Sequence, residues 1–375
     1  MAPFMPDDLV LQIFLRLPPQ PSCLLRASLV CKRWRGLITD PGFLRQRRAP
    51  VLGVFLNNPP FRACFVPAGD PPDRVPVSRF RCPEPSWIVR DSSRGRVLLC
   101  GQSRFLVWDP VTDARFLVPR PPVGADGGRF MYGFWAVLLR DDDDVASSGG
   151  GFRVAVAFVE AGAAVGAVYA SDTGAWATAQ GAAVTGSIPW TAKSGAAVGD
   201  SVYWLLNDDR VLSLEVRAGG GPRVLVVLEP RNAPRVHAHN VKLMRTPDGG
   251  ELGLAAVTGS ALRLWALEAN GHGGAVRRGG TDRLGEIRSL AAALVPPADD
   301  DGGQRDDDSE STPCARIVGV DEEGSMVFLN VMDGIFMLAL EPTPRIKKIC
   351  DSYYMLHQRF DTVCSFASFF GLGNI

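Results

Sequence analysis

Residues 5–17 read Met-Pro-Asp-Asp-Leu-Val-Leu-Gln-Ile-Phe-Leu-Arg-Leu, and residues 24–35 read Leu-Leu-Arg-Ala-Ser-Leu-Val-Cys-Lys-Arg-Trp-Arg. The first segment predicts a helix. Asp7 and Asp8 place carboxylates where a helix N-terminus favours them, and Pro18-Pro19 stops it. Seven of the nine positions from 9 to 17 are apolar. Leu9, Ile13 and Leu17 follow at i, i+4 and i+8, and Val10 and Phe14 mark the adjoining face. Ser22 is placed to cap a second helix, and beyond it Val30, Trp34 and Leu37 or Ile38 share a face until Asp40-Pro41-Gly42 ends the run with turn residues. A helix apolar on nearly all sides needs cover on all sides. So short a segment cannot supply that cover from its own core, so either the rest of the chain or a partner must.

Outward from this stretch the composition changes. Residues 1–48 hold eight Lys/Arg (Arg16, Arg26, Lys32, Arg33, Arg35, Arg45, Arg47, Arg48) against three acids (Asp7, Asp8, Asp40), a charge of +5. The full 375 residues hold 40 basic and 40 acidic side chains, so the remainder carries −5. The first part is dense in Leu and Arg, the rest in Gly, Val, Ala and Pro. A boundary near residue 50 follows, separating a small domain over 1–48 from a large one over 51–375. Zero net charge gives no overall basicity for nucleic acid or an anionic membrane. No apolar run approaches the roughly 18 residues of a membrane span. Asp7 and Asp8 precede every basic residue, the wrong polarity for a secretory signal, so a cytoplasmic or nuclear protein is expected.

Taken in order, Met5-Pro6-Asp7-Asp8-Leu9, Ile13-Phe14-x-Arg16-Leu17-Pro18 and the Leu24 to Arg35 segment closely resemble the F-box motif along its whole length. Two positions depart from its usual pattern: Met5 stands for Leu before Pro, a swap of similar volume, and Gln12 stands for Glu before Ile-Phe. The resemblance implies three helices that bind the helical C-terminal end of a Skp-type adaptor. That adaptor, acidic in this family and so suited to the +5 module, would hold a cullin scaffold in an SCF ubiquitin ligase. Carried over position by position, the resemblance implies adaptor contacts at Pro6, Leu9, Ile13, Leu17, Val30, Cys31, Lys32 and Trp34. The protein is then a non-catalytic substrate-recognition subunit whose large domain binds a target protein. Two other readings stay open: an F-box scaffold acting without ubiquitylation, and a lectin-like or catalytic propeller.

From residue 51 the pattern becomes short β runs between turn clusters. Strands are predicted at 51–56, 95–100, 105–108, 152–159, 165–170, 202–206, 211–216, 224–228, 262–267, 317–320, 327–331 and 335–340, the last two flanking the hairpin signal Met332-Asp333-Gly334. Some phrases repeat. Val107-Trp108-Asp109-Pro110-Val111-Thr112 is echoed by Val168-Tyr169-Ala170-Ser171-Asp172-Thr173-Gly174 and more loosely around Leu264-Trp265. Gly199-Asp200-Ser201-Val202-Tyr203-Trp204 opens a second type, echoed at 324–340. Trp108 to Tyr169 and Trp204 to Trp265 are each 61 residues apart, but Tyr169 to Trp204 only 35. Blades of about 40–50 residues carrying loop insertions fit that spacing. The expected architecture is therefore α+β multidomain: a three-helix F-box, then a large all-β domain, a β-propeller of six to eight blades, with a large β-sandwich as the rival. Trp108-Asp109 is no WD repeat, since Pro110 follows and the companion Gly-His is absent. The Val-Trp-Asp-Pro-x-Thr and Val-Tyr-Trp-Leu phrases instead resemble the F-box-associated β domains of plant-type F-box proteins, over most of 85–345.

Acidic tracts interrupt this pattern at 141–151 and 297–312, where Asp, Gly and Ser dominate. They lack the alternating ligands and final Glu of a calcium loop, and disordered surface insertions are expected there. Setting them aside leaves a mildly basic remainder, suited to an acidic or phosphorylated target. The eight cysteines (Cys23, Cys31, Cys64, Cys82, Cys100, Cys314, Cys350, Cys364) include no C-x-x-C pair, and most read as small buried hydrophobes rather than zinc ligands or disulfides. His237-x-His239 could present two imidazoles on one strand face, but neither His272 nor His357 is placed as a third ligand. No nucleophile elbow, phosphate loop or H-E-x-x-H occurs. No catalytic residue, cofactor or metal is expected.

Overall fold

The capping signals become four short helices in the computed structural model, which describes residues 5–58, 62–84, 86–122, 135–140, 151–160, 162–184, 195–206, 210–216, 223–228, 240–247, 251–258, 261–268, 275–278, 315–331, 334–340, 344–351 and 363–369. Helix α1 (Asp7–Leu15) follows Pro6 and carries Asp7 and Asp8 in its first turn. Helix α2 (Pro21–Ser28) opens on a proline, which needs no N–H there, so Ser22, expected as its cap, is instead its second residue and no side chain caps the helix. Helix α3 (Lys32–Thr39) is capped by Cys31, whose Sγ accepts from the Trp34 N–H at 3.4 Å. Asp40-Pro41-Gly42, expected as a plain turn ending a three-helix module, starts a fourth helix, α4 (Pro41–Gln46). Asp40 Oδ1 accepts from the Phe43 N–H at 3.0 Å and Pro41 takes the first turn, so a stop signal for one helix is the start signal of the next.

Val10, Phe14, Leu24, Ile38 and Phe43 form the helical core. At the far end of α1, the Arg47 guanidinium donates to the carbonyls of Phe14, Leu17 and Pro18 at 2.5, 2.9 and 2.8 Å. A cation there satisfies carbonyls that the helix itself leaves open.

Beyond residue 50 the described residues form strands and loops, apart from a 3-10 turn at Val77–Phe80 and one that includes Asn240. Sheet 1 joins β1 (Val51–Asn58) and β2 (Arg62–Pro67) to the last strand, β23 (Val363–Ala367), in the order β2-β1-β23. Sheet 2 is β3 (Ile88–Ser93), β4 (Arg96–Cys100), β5 (Phe105–Trp108) and β6 (Arg115–Val118). Sheet 3 is β7 (Trp135–Arg140), β8 (Phe152–Glu160), β9 (Ala163–Ala170) and β10 (Ala175–Ala183). Sheet 4 is β11 (Ala196–Val198), β12 (Ser201–Leu205), β13 (Val211–Glu215) and β14 (Arg223–Leu228). Sheet 5 is β15 (Val241–Arg245), β16 (Leu252–Thr258), β17 (Ala261–Glu268) and β18 (Ala275–Arg278). Sheet 6 is β19 (Ala315–Val320), β20 (Met326–Val331), β21 (Gly334–Ala339) and β22 (Arg345–Asp351).

Five of these six sheets run through four consecutive strands in order. That repeat is the strand topology of a β-propeller, not of a two-sheet sandwich, with six blade-like sheets among the described residues. It also explains the repeated phrases. Trp108, Tyr169 and Trp265 all lie on the third strand of their sheets, and Trp204 lies on a second strand. In the Trp108 phrase, Asp109 Oδ1 accepts from the Val111 N–H at 2.8 Å, folding the turn, and Trp108 Nε1 donates to Asp113 Oδ1 at 2.9 Å. That indole bond and the Arg115 guanidinium hold the Asp113 carboxyl below its ordinary value.

Two compact units divide the chain. The first comprises Met1–Val156, Ala167–Thr178 and Cys364–Ile375. Its β core joins sheets 1 and 2 through Leu52, Phe55, Phe65, Phe80, Trp108 and Phe366, with Phe65 stacked on Phe80 at 4.3 Å. Asn57 of β1 donates to the Val89 carbonyl and accepts from its N–H, both at 2.8 Å. Asp91 Oδ2 accepts from the Leu138 N–H at 2.8 Å, tying β3 to β7. The second unit comprises Ala157–Gly166 and Ala179–Val363. There, Leu205, Val211, Leu243, Leu254 and Trp265 pack sheet 4 on sheet 5, and Met244, Ala255, Val257, Val327 and Leu329 pack sheet 5 on sheet 6. The acidic tracts at 141–150 and 297–312, all four histidines and Cys314 lie outside the described residues.

Candidate interaction face of the helical module

Helix α1 sorts its apolar residues by face. Val10 and Phe14 point into the core, while Leu9 and Ile13 are 55% and 49% exposed. The i, i+4 spacing that gives one pair to the core gives the other to solvent. Leu29 and Val30, between α2 and α3, are 64% and 62% exposed, and Met5 is 45% exposed. These five are the majority of the eight large apolar side chains exposed among the described residues, although the helical module is a small part of the chain. So many exposed apolar side chains on so small a module make it the candidate interaction surface.

Arg33 gathers this face. Its guanidinium donates to Asp7 Oδ1 and to the Met5 carbonyl, placing the first turn of α1 beside the first turn of α3. Phe14 meets Trp34 edge-on at 5.2 Å, fixing the same two helices from inside.

Of the residues matched to adaptor contacts, Pro6, Leu9, Ile13, Val30, Cys31 and Lys32 are exposed. Leu17 and Trp34 are not: both are half buried against the helical core. Leu17 lies past the end of α1, so it does not extend the Leu9–Ile13 face. Leu29 is the most exposed large apolar side chain among the described residues and was not among the expected contacts. Its spacing from Leu24 and Leu25 reads as helix interior, but α2 stops at Ser28 and Leu29 turns outward.

The face carries apolar area and basic side chains, not a proton-transfer or ligating constellation. The described cysteines are free thiols. Burial pushes Cys64, Cys82 and Cys100 up, the last despite the Arg90 guanidinium beside it, which is the opposite of nucleophile activation. Among the described residues no cluster of His, Cys, Asp or Glu is arranged to hold a metal ion, and no helix is long and apolar enough to cross a membrane.

Fold and face together describe a two-part protein, a helical module with exposed apolar side chains followed by a β region of propeller topology. Residues 3–49 match the family model described as F-box-like, and the helical module is an F-box-like domain. The chain is 28% identical over 144 residues to a candidate F-box protein of Arabidopsis thaliana, a match that takes in 36% of this chain and 38% of that relative. Among solved structures, it resembles the Dos1 propeller at 9% identity and a TM-score of 0.34, covering 71% of this chain and 61% of that one. It also resembles TolB from Acinetobacter baumannii at 10% identity and a TM-score of 0.29, covering 71% and 68%. The fold assignment rests on the strand order itself, not on these two likenesses.

Proposed function

We propose that this protein is the substrate-recognition subunit of an SCF-type ubiquitin ligase, docking a Skp-type adaptor on its F-box-like helices and a target protein on its β region. The supporting observation is the exposed apolar face of Leu9, Ile13, Leu29 and Val30 on a small domain matching the F-box-like model. Such a face gains cover from a partner helix, and the +5 charge around it suits an acidic one. The subunit itself is non-catalytic on this reading and works in the cytoplasm or nucleus. Its contacts are Pro6, Leu9, Ile13, Val30, Cys31 and Lys32 at the exposed face, with Leu17 and Trp34 buttressing from the core side.

The test is a titration of purified Skp-type adaptor against wild type and a Leu9→Ala/Ile13→Ala double variant. Burying a fully exposed aliphatic side chain is worth about 1.5–3 kcal/mol, so losing two that are half exposed weakens binding about ten- to a hundredfold. Neither side chain belongs to the helical core, so the fold is expected to hold. Unchanged affinity would remove the adaptor reading. A wild type that binds adaptor tightly but fails to recruit cullin would favour a scaffold instead.

A further inference from the structure

The last described residues lie against three structures at once. β23 pairs with β1 in sheet 1. The Ser92 hydroxyl of β3 donates to the Ser365 carbonyl, and the turn at Gly95 passes so close that a Cβ there would crowd Ser368 Oγ at 3.1 Å. Ser368 N–H then donates to the Pro50 carbonyl at 3.1 Å, at the junction between helices and strands. Phe369 completes the path by packing against the core of the F-box-like helices. From Ala367, the end of β23, to Phe369 is two residues, a reach of about 7 Å. That leaves no slack.

We infer that residues 364–369 form a strap that locks the F-box-like helices onto the first two β-sheets, so that the docking face is held in a fixed orientation rather than tethered by a flexible linker. A second tie agrees. Asp73 Oδ1, from the loop after β2, accepts from the Ser22 N–H at the first turn of α2 at 2.7 Å. The direct link is short as well, with residues 47–50 separating α4 from β1. The strap does not depend on the identity of the partner. It makes the far end of the chain part of the docking module, and a target held on sheets 1 and 2 keeps a set distance from whatever α1 binds.

Hydrogen–deuterium exchange on the full chain tests it. In Phe369→Ala the amides of α1, α2 and α3 are expected to exchange about tenfold faster or more, while β4 and β5 keep their protection, because local opening is governed by the packing around the substituted side chain. Phe369→Leu is expected to restore most of the protection. Asp73→Ala, which leaves every core side chain in place, is expected to speed exchange at the first turn of α2. Unchanged exchange in the helices of Phe369→Ala would overturn the strap. So would an equal rise in helices and β4–β5, which would make Phe369 an ordinary contributor to global stability.

Discussion

Asp321 follows β19 and is buried, with Oδ1 accepting from the Met326 N–H at 2.7 Å and Oδ2 from the Ser325 hydroxyl at 2.8 Å. Those bonds favour the carboxylate, but burial dominates and raises its pKa above the ordinary 3.8. A raised folded-state pKa means that folding favours the protonated form. The associated stability is therefore fully present below the unfolded pKa and is lost as pH rises through the folded one. Asp321→Asn keeps an acceptor for Met326 and does not titrate. The wild type is expected to lose stability relative to this variant as pH rises from about 4, measured by urea unfolding at stepped pH. A stability difference constant across that range would refute the assignment. Arg33 shows the same point in the helices. It lies beside Trp34 in sequence but off the Val30–Trp34 face, and it joins α1 to α3.

At the scale of elements, the hairpin turns repeat by position. Between the first and second strands, Arg94-Gly95 turns sheet 2 with both residues at positive φ, 43° and 79°, the type I′ pattern that suits the twist of paired strands. Gly324, in the matching turn of sheet 6, has φ 67°, and a Cβ there would stand 1.8 Å from the Arg245 carbonyl oxygen of β15. Gly324→Ala is expected to cost about 3 kcal/mol or more, since strain and backbone collision coincide, seen as a lowered thermal midpoint with the F-box-like helices still intact. A midpoint unchanged by this substitution would mean that sheets 5 and 6 are less closely packed than Arg245 and Gly324 indicate. Most of the middle strands were legible, although β16 was not. β5, β8, β12, β13 and β20 are largely apolar because their faces are mostly covered and both of their edges paired. First strands such as β3 and β15 escaped notice because Arg90, Asp91 and Lys242 interrupt them. Outer strands such as β6 and β22 escaped because β6 is mostly exposed and β22 has no fully buried side chain.

At the scale of the molecule, both ends of the β region share sheet 1, and the helices stand beside that sheet in the same compact unit. A boundary near residue 50 still divides helix from strand. Residues 51–375 produced alone are expected to give a far-ultraviolet circular dichroism spectrum of β type with little helical signal; substantial helix would contradict the all-β assignment. The boundary does not divide core from core, because Phe369 packs into the helical cluster. The division into two modules therefore does not extend to their packing. The same cluster explains why Trp34, half buried against Phe14, is a poor probe of partner binding beside Leu9 and Ile13.

The F-box-like helices, the all-β character of the remainder and the blade-scale repeat of Trp108, Tyr169 and Trp265 were determined by local order: capping residues, apolar period and turn chemistry act within a few positions along the chain. Which apolar residue of α1 faces water, and which strands flank the legible ones, depended on neighbours distant in sequence. Val10 and Phe14 face inward because Leu24, Ile38 and Phe43 pack on them. β3 holds its polar residues because Asp91 finds the Leu138 N–H. The placement of β23 beside β1, and of Phe369 in a helical core formed by residues 10–43, was decided by tertiary structure alone. A strand's period tells that it pairs but carries no information on which strand, more than 300 residues away, it will pair with.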